Sequence, residues 1–328
     1  MSVAAVVNPT ELAGKELRET LERRGGPWDE IRLLTSRETE VGTLTELAGG
    51  AALVAPLDAQ ALDGVDVAFF CGAALEIAAG LARLPPEVTA VILAPQAAAG
   101  PLADGRLAGA RPVVAGVNDE AARVAANGSG RILLSPHPAV ILLAHLLRPL
   151  AALGLAEAIA TVVQPASVQG DPGLEELFEQ TRQIVAMTQR RPSPLFGAQL
   201  AFNLLPVPAP AGDLAATLAA LLPGSRPLSL QLLQGGIFHS LAATVFVRLE
   251  GPGGLQRVRQ ALAGQRGIEL VKKPAHLGPI DAAASDKVLV GAVQEDAAVA
   301  GGYWLWAVMD NLTRGGALNA IEIAEAAL

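Results

Sequence analysis

The sequence is short of cysteine, histidine and lysine, and each shortage excludes a class of protein. The single cysteine, Cys71, excludes an internal disulfide and a cysteine-based zinc site. Of four histidines, His137 and His145 lie eight residues apart without a carboxylate companion, so we expect a turn residue and a helix residue rather than metal ligands. Four lysines and a formal net charge of −8 leave nothing to neutralise a nucleic-acid backbone.

An uninterrupted apolar run of membrane-spanning length is also missing. The longest apolar stretch, 139–163, is broken by a histidine, an arginine, a proline and a glutamate, which predicts a buried helix, a turn and a strand. The opening residues, MSVAAVVNPTEL, have no basic leader and no cleavage site, so we expect a cytoplasmic protein. With 328 residues, 51% hydrophobic and 17% charged, the composition is typical of a globular chain of one large or two ordinary domains.

The first half of the chain alternates strands and helices. Continuous apolar runs predict strands at 2–7, 30–36, 65–72, 90–95, 111–117 and 131–136. Helical spacing predicts helices at 11–25 and 74–84. Fully apolar strands that alternate with helices indicate a parallel sheet covered on both faces, as in Rossmann-like α/β domains.

The second half has a different pattern. After a predicted helix at 173–187, the strands alternate apolar and polar residues, at 229–235, 241–250, 287–295 and 303–311. Such alternation favours a mainly antiparallel sheet in an α+β domain. We therefore predict a Rossmann-like domain over 1–134 that is completed by a returning C-terminal helix in 311–328, and a second domain over 135–310.

Six stretches carry a family resemblance in their order and spacing. They are VAFFCGAALE (67–76), LEELFEQTRQIV (174–185), QLAFNLLP (199–206), FHS (238–240), PIDAAASDKVLVG (279–291) and WAVMDNLTRGGALNAIEIAE (306–325). Together they resemble the aspartate-semialdehyde dehydrogenases, and the resemblance extends from Val3 to Leu328.

The resemblance implies a two-domain, dimeric reductase of β-aspartyl phosphate that uses NADPH in the biosynthesis of lysine, methionine and threonine. It also implies a cysteine thiolate that forms a thioester, which hydride then reduces to the aldehyde. A histidine would do the acid–base work, a glutamine would orient the intermediate, and an arginine would bind the substrate carboxylate. Each of these positions can be located in this chain.

The family's glycine-rich cofactor loop, GxxGxxG, corresponds here to NPTELAG (8–14). Only the third glycine, Gly14, remains, and it is the one that packs the helix on the strand. Pro9 removes a backbone donor, and Glu11 puts a negative charge where a negative ligand would lie. The stretch is therefore expected to be an ordinary strand–helix turn, with Thr10 as the helix N-cap.

The stretches that would contact the ribose end of the cofactor differ less from the family's pattern than the glycine-rich loop does. LLTSRETEVG (33–42) resembles the loop that reads the 2′-phosphate, so Ser36 and Arg37 are candidate contacts, although Arg37 lies one position before the family's arginine. Cys71 and Gly72 end the third predicted strand, where the family's backbone passes the cofactor. Together with Thr10 and Gly14 (named above), these residues are the candidate cofactor contacts. We expect no cofactor, and NADP if any binds.

The family's nucleophile lies in an Asn-Cys-(Ser or Thr) turn, which corresponds here to SPHPAV (135–140). Pro138 falls on the cysteine position, and a proline has neither a nucleophilic atom nor a backbone N–H. Proline is common in the first turn of a helix, so the residue has a purely structural explanation. His137 and Cys71 are the candidate replacements. His137 has no orienting partner evident in the sequence, and Cys71 belongs to the other side of the cleft.

Two catalytic-type residues are retained by the resemblance: Gln164 matches the orienting glutamine and His239 the acid–base histidine. The arginine that precedes this histidine by seven residues in the family is replaced by Leu232. Residues 207–231 contain one cation, Arg226, and no lysine. Gln164 and His239 are therefore expected to persist as buried polar residues with satisfied hydrogen bonds.

Three functions are consistent with these residues. The first is a catalytically degenerate family member that keeps the fold and acts as a dimeric binding or regulatory homologue, on its own or with an active paralogue or another protein. The alternative is an NADP-dependent oxidoreductase of amino-acid biosynthesis with an altered site or substrate. A small-molecule sensor is the third.

The sequence also offers candidates for the homodimer interface. Trp304 and Trp306 alternate with Leu305, so both indoles lie on one face of the strand, either as interface anchors or as core residues.

Overall fold

The structure is a computed structural model that describes residues 2–93, 109–126, 131–188, 193–207, 211–222, 228–250 and 254–328. The chain forms two compact units. One consists of Met1–His137 with Gly316–Leu328, and the other consists of Pro138–Gly315. The two domains predicted from the sequence, 1–134 with a helix in 311–328 and 135–310, stay predictions.

The first unit is built from short strands and four helices among the described residues. Its strands are β1 (Val3–Val7), β2 (Glu30–Thr35), β3 (Leu44–Leu47), β4 (Gly50–Leu53), β5 (Ala55–Pro56), β6 (Val67–Cys71), β7 (Thr89–Leu93), β8 (Arg111–Pro112) and β9 (Ile132–Ser135). Its helices are α1 (Leu12–Arg24), α2 (Ala74–Leu81), α3 (Glu120–Ala126) and α8 (Leu318–Ala327).

Seven of these strands form one parallel sheet in the order β5-β2-β1-β6-β7-β9-β8. All residues of β1, β6 and β7 are buried, because a core cluster packs on each face of the sheet. The predicted Rossmann-like parallel sheet is thereby confirmed. The last two residues of the strand predicted at 90–95 lie outside the described residues.

Two local predictions in this unit need correction. The strand expected at 111–117 is only Arg111–Pro112, because the Asn118 side chain accepts from the Val114 amide at 2.8 Å and folds the following residues into a turn. The hairpin formed by β3 and β4 was missed, since its residues are mostly exposed and lack a clear period.

A buried asparagine ties α8 to the sheet. The Asn319 side chain accepts from the Ala115 amide at 2.9 Å and donates to the Val113 carbonyl at 3.2 Å. It also donates to Ser135 Oγ at 2.8 Å, at the end of β9. Asn319 has no exposed surface, so its side chain supplies the hydrogen bonds that water would otherwise make with these groups.

The second unit contains a seven-stranded sheet and the remaining helices of the described residues. Its strands are β10 (Leu155–Gln164), β11 (Leu204–Pro206), β12 (Leu228–Gly235), β13 (Leu241–Leu249), β14 (Ile268–Leu270), β15 (Val288–Glu295) and β16 (Gly302–Met309). Its helices are α4 (Pro138–Ala151), α5 (Gly170–Val185), α6 (Ala211–Leu221) and α7 (Leu255–Gly264).

The sheet order is β11-β12-β10-β13-β16-β15-β14. Four of the six strand pairs described are antiparallel, which confirms the mainly antiparallel sheet. The apolar stretch 139–163 is a helix, a turn and a strand, as predicted. In the described part of the chain, no helix has the length and apolar character needed to cross a membrane.

One face of this sheet is covered by α4, α6 and α7, while the other is covered in part by residues 277–282 and elsewhere carries exposed apolar side chains. Ile159, Phe246 and Trp304 lie side by side across β10, β13 and β16 on that open face. The Phe246 and Trp304 rings are 5.2 Å apart between centroids. Trp306 lies on the same face but is half-buried, and its indole N–H donates to the Leu277 carbonyl at 2.8 Å.

His145 is a fully buried residue of α4, which confirms its assignment as a helix residue. Burial, together with the charge of Arg314, lowers the pKa of His145 to about 3, so its imidazole is neutral at neutral pH. Arg314 Nη2 lies 3.3 Å from His145 Nε2. Because a guanidinium can only donate, Nε2 is the acceptor and the proton resides on Nδ1.

Asn319→Ala is expected to lower the free energy of unfolding by about 2 kcal/mol, because it leaves buried backbone groups without partners. Urea unfolding followed by circular dichroism measures the change. Glu325→Ala in the same helix is the control: it removes a surface ion pair with Arg24 at 2.9 Å, which is worth about 0.5 kcal/mol. Equal losses for both variants would contradict the role given to Asn319.

Candidate functional site

The carboxyl ends of β1 and β6 lie side by side at one edge of the parallel sheet, and the space between them is called the crevice below. The chain passes from β1 to β2 on one side and reaches β6 on the other, so this is the point where the strand order reverses. Ligands of open α/β sheets bind at such a point. Asn8 follows β1 and Gly72 follows β6, and both therefore line the crevice.

The Asn8 side chain joins three strand ends at the crevice. Its amide donates to the Cys71 carbonyl at 3.0 Å, and its Oδ1 accepts from the Ser36 amide at 3.1 Å. The hydroxyls of Thr35 and Ser36 also donate to Oδ1, at 3.3 and 3.2 Å. Asn8 is buried and has a φ of 59°, a left-handed conformation that asparagine tolerates better than most residues.

The turn from β1 to α1 differs from the prediction at Thr10. The residue at the N-cap position is Glu11, whose side chain makes no capping hydrogen bond. The Thr10 hydroxyl instead donates to Glu40 Oε2 at 2.7 Å, because the turn directs it toward the loop after β2. Gly14 allows α1 to approach the turn: a Cβ there would lie 2.5 Å from the Asn8 carbonyl oxygen.

Arg37 is bound by three carboxylates that come from three different parts of the unit. Its Nε and Nη2 donate to the two oxygens of Glu76 at 2.7 and 2.9 Å, and Nη1 donates to Glu40 at 3.0 Å. Nη2 also forms an ion pair with Glu11. The side chains are 20–30% exposed, so the cluster lies in the crevice and not in the core.

The electrostatics of the cluster follow from these contacts. The hydrogen bond with Glu76 raises the pKa of Arg37, and the same bond lowers the pKa of Glu76. Burial opposes the ionisation of Glu40, but hydrogen bonds from Thr10 and Arg37 outweigh it and lower the pKa of Glu40. All the shifts favour the charged forms of these groups.

Gly72, which follows β6 at the crevice, has a φ of 109°, which favours glycine. A Cβ at this position would lie 2.9 Å from Glu76 Oε2, 3.1 Å from Asn8 Nδ2 and 3.8 Å from Glu11 Cγ. The space in which backbone N–H groups would meet a pyrophosphate is thus filled by carboxylate side chains. The residues of the crevice do not fit the phosphates of a dinucleotide.

Cys71, the last residue of β6, is fully buried. Burial, with a smaller contribution from the charge of Glu11, raises the pKa of its thiol to about 12. The side chain is therefore a protonated thiol at neutral pH, which is neither a nucleophile nor a metal ligand. Of the candidate cofactor residues, the structure brings Ser36, Arg37 and Gly72 to the crevice and leaves Cys71 inside the sheet.

The turn at the family's nucleophile position ends where α4 begins. Pro138 is the first residue of that helix and is buried, which confirms the structural explanation for a proline there. It packs closely against the segment after β16, since a Cβ at Gly315 would lie 3.0 Å from Pro138 Cβ. Burial also lowers the pKa of His137 to about 4, so its imidazole is neutral at neutral pH.

Gln164 ends β10 and pairs with Gln234, a residue that the sequence did not single out. Its Nε2 donates to Gln234 Oε1 at 3.0 Å, and Gln234 Nε2 donates to the Gln164 carbonyl at 3.1 Å. Both side chains are buried, and among the described residues Gln164 Oε1 has no hydrogen-bond partner. Leu232, on the same buried face of β12, offers no charge; Arg226 lies outside the described residues.

The expectation that His239 is buried is wrong, because its side chain is exposed. The turn between β12 and β13 is held through its backbone: Ala166 donates to the Ile237 carbonyl at 2.8 Å, and Ser167 donates to the Phe238 carbonyl at 3.1 Å. The Ser240 amide donates to Asn311 Oδ1 at 2.9 Å. These bonds fix the turn without using the imidazole.

Comparison with curated proteins finds full-length relatives. The chain is 30% identical to the USG-1 protein homolog of Pseudomonas aeruginosa, over 98% of this chain and 96% of that protein. It is 26% identical to the aspartate-semialdehyde dehydrogenase of Bacillus subtilis, with the same coverage of both chains. No protein-family model matches the chain.

Solved structures with the same fold also cover the whole chain. A probable aspartate-semialdehyde dehydrogenase from Pseudomonas aeruginosa superposes with a TM-score of 0.88 at 28% identity, over 99% of this chain and 97% of that one. Aspartate semialdehyde dehydrogenase II from Vibrio cholerae, complexed with ASA, gives 0.87 at 25% identity, over 99% and 98%. The Candida albicans enzyme with NADP shares the fold, with a TM-score of 0.74 at 16% identity, over 99% and 98%.

Glu76→Gln is expected to lower the free energy of unfolding by about 1 kcal/mol at pH 7, because it removes one charge from a two-bond contact with Arg37. The pKa of Glu76 is depressed in the folded state, so its stabilisation is complete above the ordinary carboxyl pKa of about 4.3. The difference in unfolding free energy between the parent and Glu76→Gln should shrink as the pH falls below about 4.3 and through the depressed pKa of Glu76 in the folded protein.

Urea unfolding of both proteins across this pH range provides the measurement. The exposed neighbour Glu38 supplies the matched control, Glu38→Gln, which should change stability little at any pH. A difference for Glu76→Gln that stays constant with pH would show that the charge of the carboxylate is not what stabilises the cluster.

Proposed function

The chain belongs to the aspartate-semialdehyde dehydrogenase family, and we propose that it is a member without the family's covalent chemistry that acts as a dimeric binding or regulatory protein. The observation that carries this proposal is Pro138 at the place where the family resemblance implies the cysteine nucleophile. A pyrrolidine ring has no atom that can attack an acyl group and then act as a leaving group. No thioester can therefore form at this turn.

The other candidate nucleophiles do not supply a replacement. The Cys71 thiol is buried and has a pKa of about 12, so the thiolate population is negligible at neutral pH. His137 is buried, and Ser135 Oγ accepts a hydrogen bond from Asn319. An oxidoreductase with a relocated nucleophile, the alternative function, is therefore not favoured by these residues.

The substrate side has also changed. At the position where the resemblance implies an arginine for the substrate carboxylate, Leu232 is buried and apolar. An aliphatic side chain cannot make the two-bond contact of a guanidinium with a carboxylate. Gln164 Nε2 donates to Gln234, so the donor of its side-chain amide is already used within the protein, while Oε1 has no partner among the described residues. These changes support a loss of the family's substrate together with the loss of its nucleophile.

The purified protein is expected to form no NADPH when supplied with L-aspartate β-semialdehyde, NADP⁺ and phosphate, measured by absorbance. Intact-mass analysis after incubation with β-aspartyl phosphate should show no acyl adduct. Cys71→Ser is the matched variant: activity in the parent chain that disappears in this variant would establish the alternative oxidoreductase. Any trapped acyl adduct on the parent chain would overturn the proposal.

The partner that we propose is a second copy of this chain, bound on the open face of the β10–β16 sheet. Ile159 and Trp304 on that face are 42% and 41% exposed, although they are large and apolar. Arg248 lies 3.3 Å from Glu157, so one ion pair borders the apolar centre on one side. An apolar centre with a polar rim is typical of stable interfaces.

A partner with the same fold, such as an active paralogue, is the second occupant that this face would suit. The net charge of −8 does not support a nucleic-acid partner. Similarity to the aspartate-semialdehyde dehydrogenases, which the resemblance describes as biosynthetic enzymes, supports a cytoplasmic location.

Ile159→Asp combined with Trp304→Asp is expected to convert a dimer into a folded monomer at micromolar concentration, because it places charges in the centre of the proposed interface. Sedimentation velocity measures the mass, and circular dichroism checks the fold. Leu44→Asp, at an apolar residue that is 68% exposed on the β3–β4 hairpin, is the control and should leave the dimer intact. A monomeric parent protein would contradict the dimer.

A further inference from the structure

We propose that Glu11 and Glu76 form an internal substitute for nucleotide phosphate, which occupies the crevice of the parallel sheet and closes it to dinucleotides. The inference rests on the family membership stated above, but it is independent of the chemistry at Pro138. It assigns a specific exclusion role to two carboxylates that lie 65 residues apart in the chain.

The contact between Arg37 and Glu76 has the geometry by which a guanidinium binds an anion. Two N–H groups on one edge of the Arg37 guanidinium, those of Nε and Nη2, donate to the two carboxylate oxygens of Glu76 at 2.7 and 2.9 Å. The same edge of an arginine binds two oxygens of a phosphate in this way. Arg37, the candidate contact for a 2′-phosphate that lies one position before the family's arginine, is therefore already bound by an anion of the protein.

The second carboxylate lies where a helix N-terminus would contribute to phosphate binding. Glu11 is the N-cap residue of α1, and its side chain does not cap the helix but pairs with Arg37. Its Cγ and Glu76 Oε2 both lie over Gly72, since a Cβ at that glycine would be 3.8 and 2.9 Å from them. The two glutamates thus fill the volume and also satisfy the cation.

The charge of the cluster acts in the same direction as its shape. Three carboxylates surround one guanidinium, so the four side chains carry a formal charge of −2. An incoming phosphate would have to displace Glu11 and Glu76 from Arg37 and would then be repelled by all three carboxylates. Since the side chains are 20–30% exposed, the crevice itself is open to solvent, and the glutamates are what exclude the ligand.

Removal of both glutamates should therefore open the crevice. The test uses the full chain with Glu11→Gly and Glu76→Ala, titrated with NADP⁺ and with adenosine 2′,5′-bisphosphate in a calorimeter. Glycine is tolerated at an N-cap, so the change at Glu11 preserves α1. We expect the affinity of this variant for both probes to exceed that of the parent by roughly 10-fold or more, the effect of about 1.4 kcal/mol.

Three further variants separate the causes. Adding Arg37→Ala to the opened variant should abolish the gain, because the released guanidinium is the proposed anion receptor. Glu11→Gln with Glu76→Gln removes the charge and keeps the volume, so a smaller gain is expected. Glu19→Ala with Glu38→Ala, at exposed residues, changes the net charge equally and should give no gain.

The results distinguish this inference from the proposed function. The inference is overturned if the parent chain binds NADP⁺ as well as the opened variant does, if neither folded glutamate variant gains affinity, or if the exposed-residue control gains as much. None of these outcomes bears on Pro138, because NADPH formation and acyl trapping are measured separately. A gain in nucleotide affinity without turnover would support both proposals.

Discussion

Burial of both faces of the parallel sheet is the constraint on which the rest of the first unit depends. Because β1, β6 and β7 are fully buried, polar side chains can be placed only at the ends of the strands. The carboxyl ends of parallel strands lie at one edge, so Asn8, Arg37 and Gly72 meet there although they are distant in sequence. In this chain three carboxylates lie around Arg37 at that edge.

The two altered regions have separate physical causes. In the crevice, an arginine that could bind an anion is neutralised by glutamates of the same unit. At the start of α4, Pro138 satisfies the helix terminus without offering any reactive atom. Each arrangement is stable by itself, because the groups that would have met a ligand have found protein partners or have been replaced by apolar residues. Under the proposed function, this is why the fold can persist without the family's chemistry.

The sequence alone revealed the positions of the site at which the residue type itself rules out the chemistry that the family resemblance implies there. Pro138 and Leu232 are of this kind, since no conformation gives them a thiolate or a guanidinium. Side-chain environment was harder to predict. Thr10 was expected to cap α1 and instead donates to Glu40, and His239 was expected to be buried and is exposed. Both errors arose because the partners of a turn residue depend on loops that sequence periodicity does not describe.

By itself, the sequence determined the two kinds of sheet, since apolar runs and alternating runs require different burial. It also determined the absence of a nucleophile at residue 138. Only the tertiary structure decided that Arg37 is occupied by Glu76, 39 residues away, and that Gln164 is paired with Gln234, 70 residues away. The order of the strands in each sheet brings such distant residues together. That order, and not the neighbouring residues in the sequence, decides which side chains form hydrogen bonds with each other.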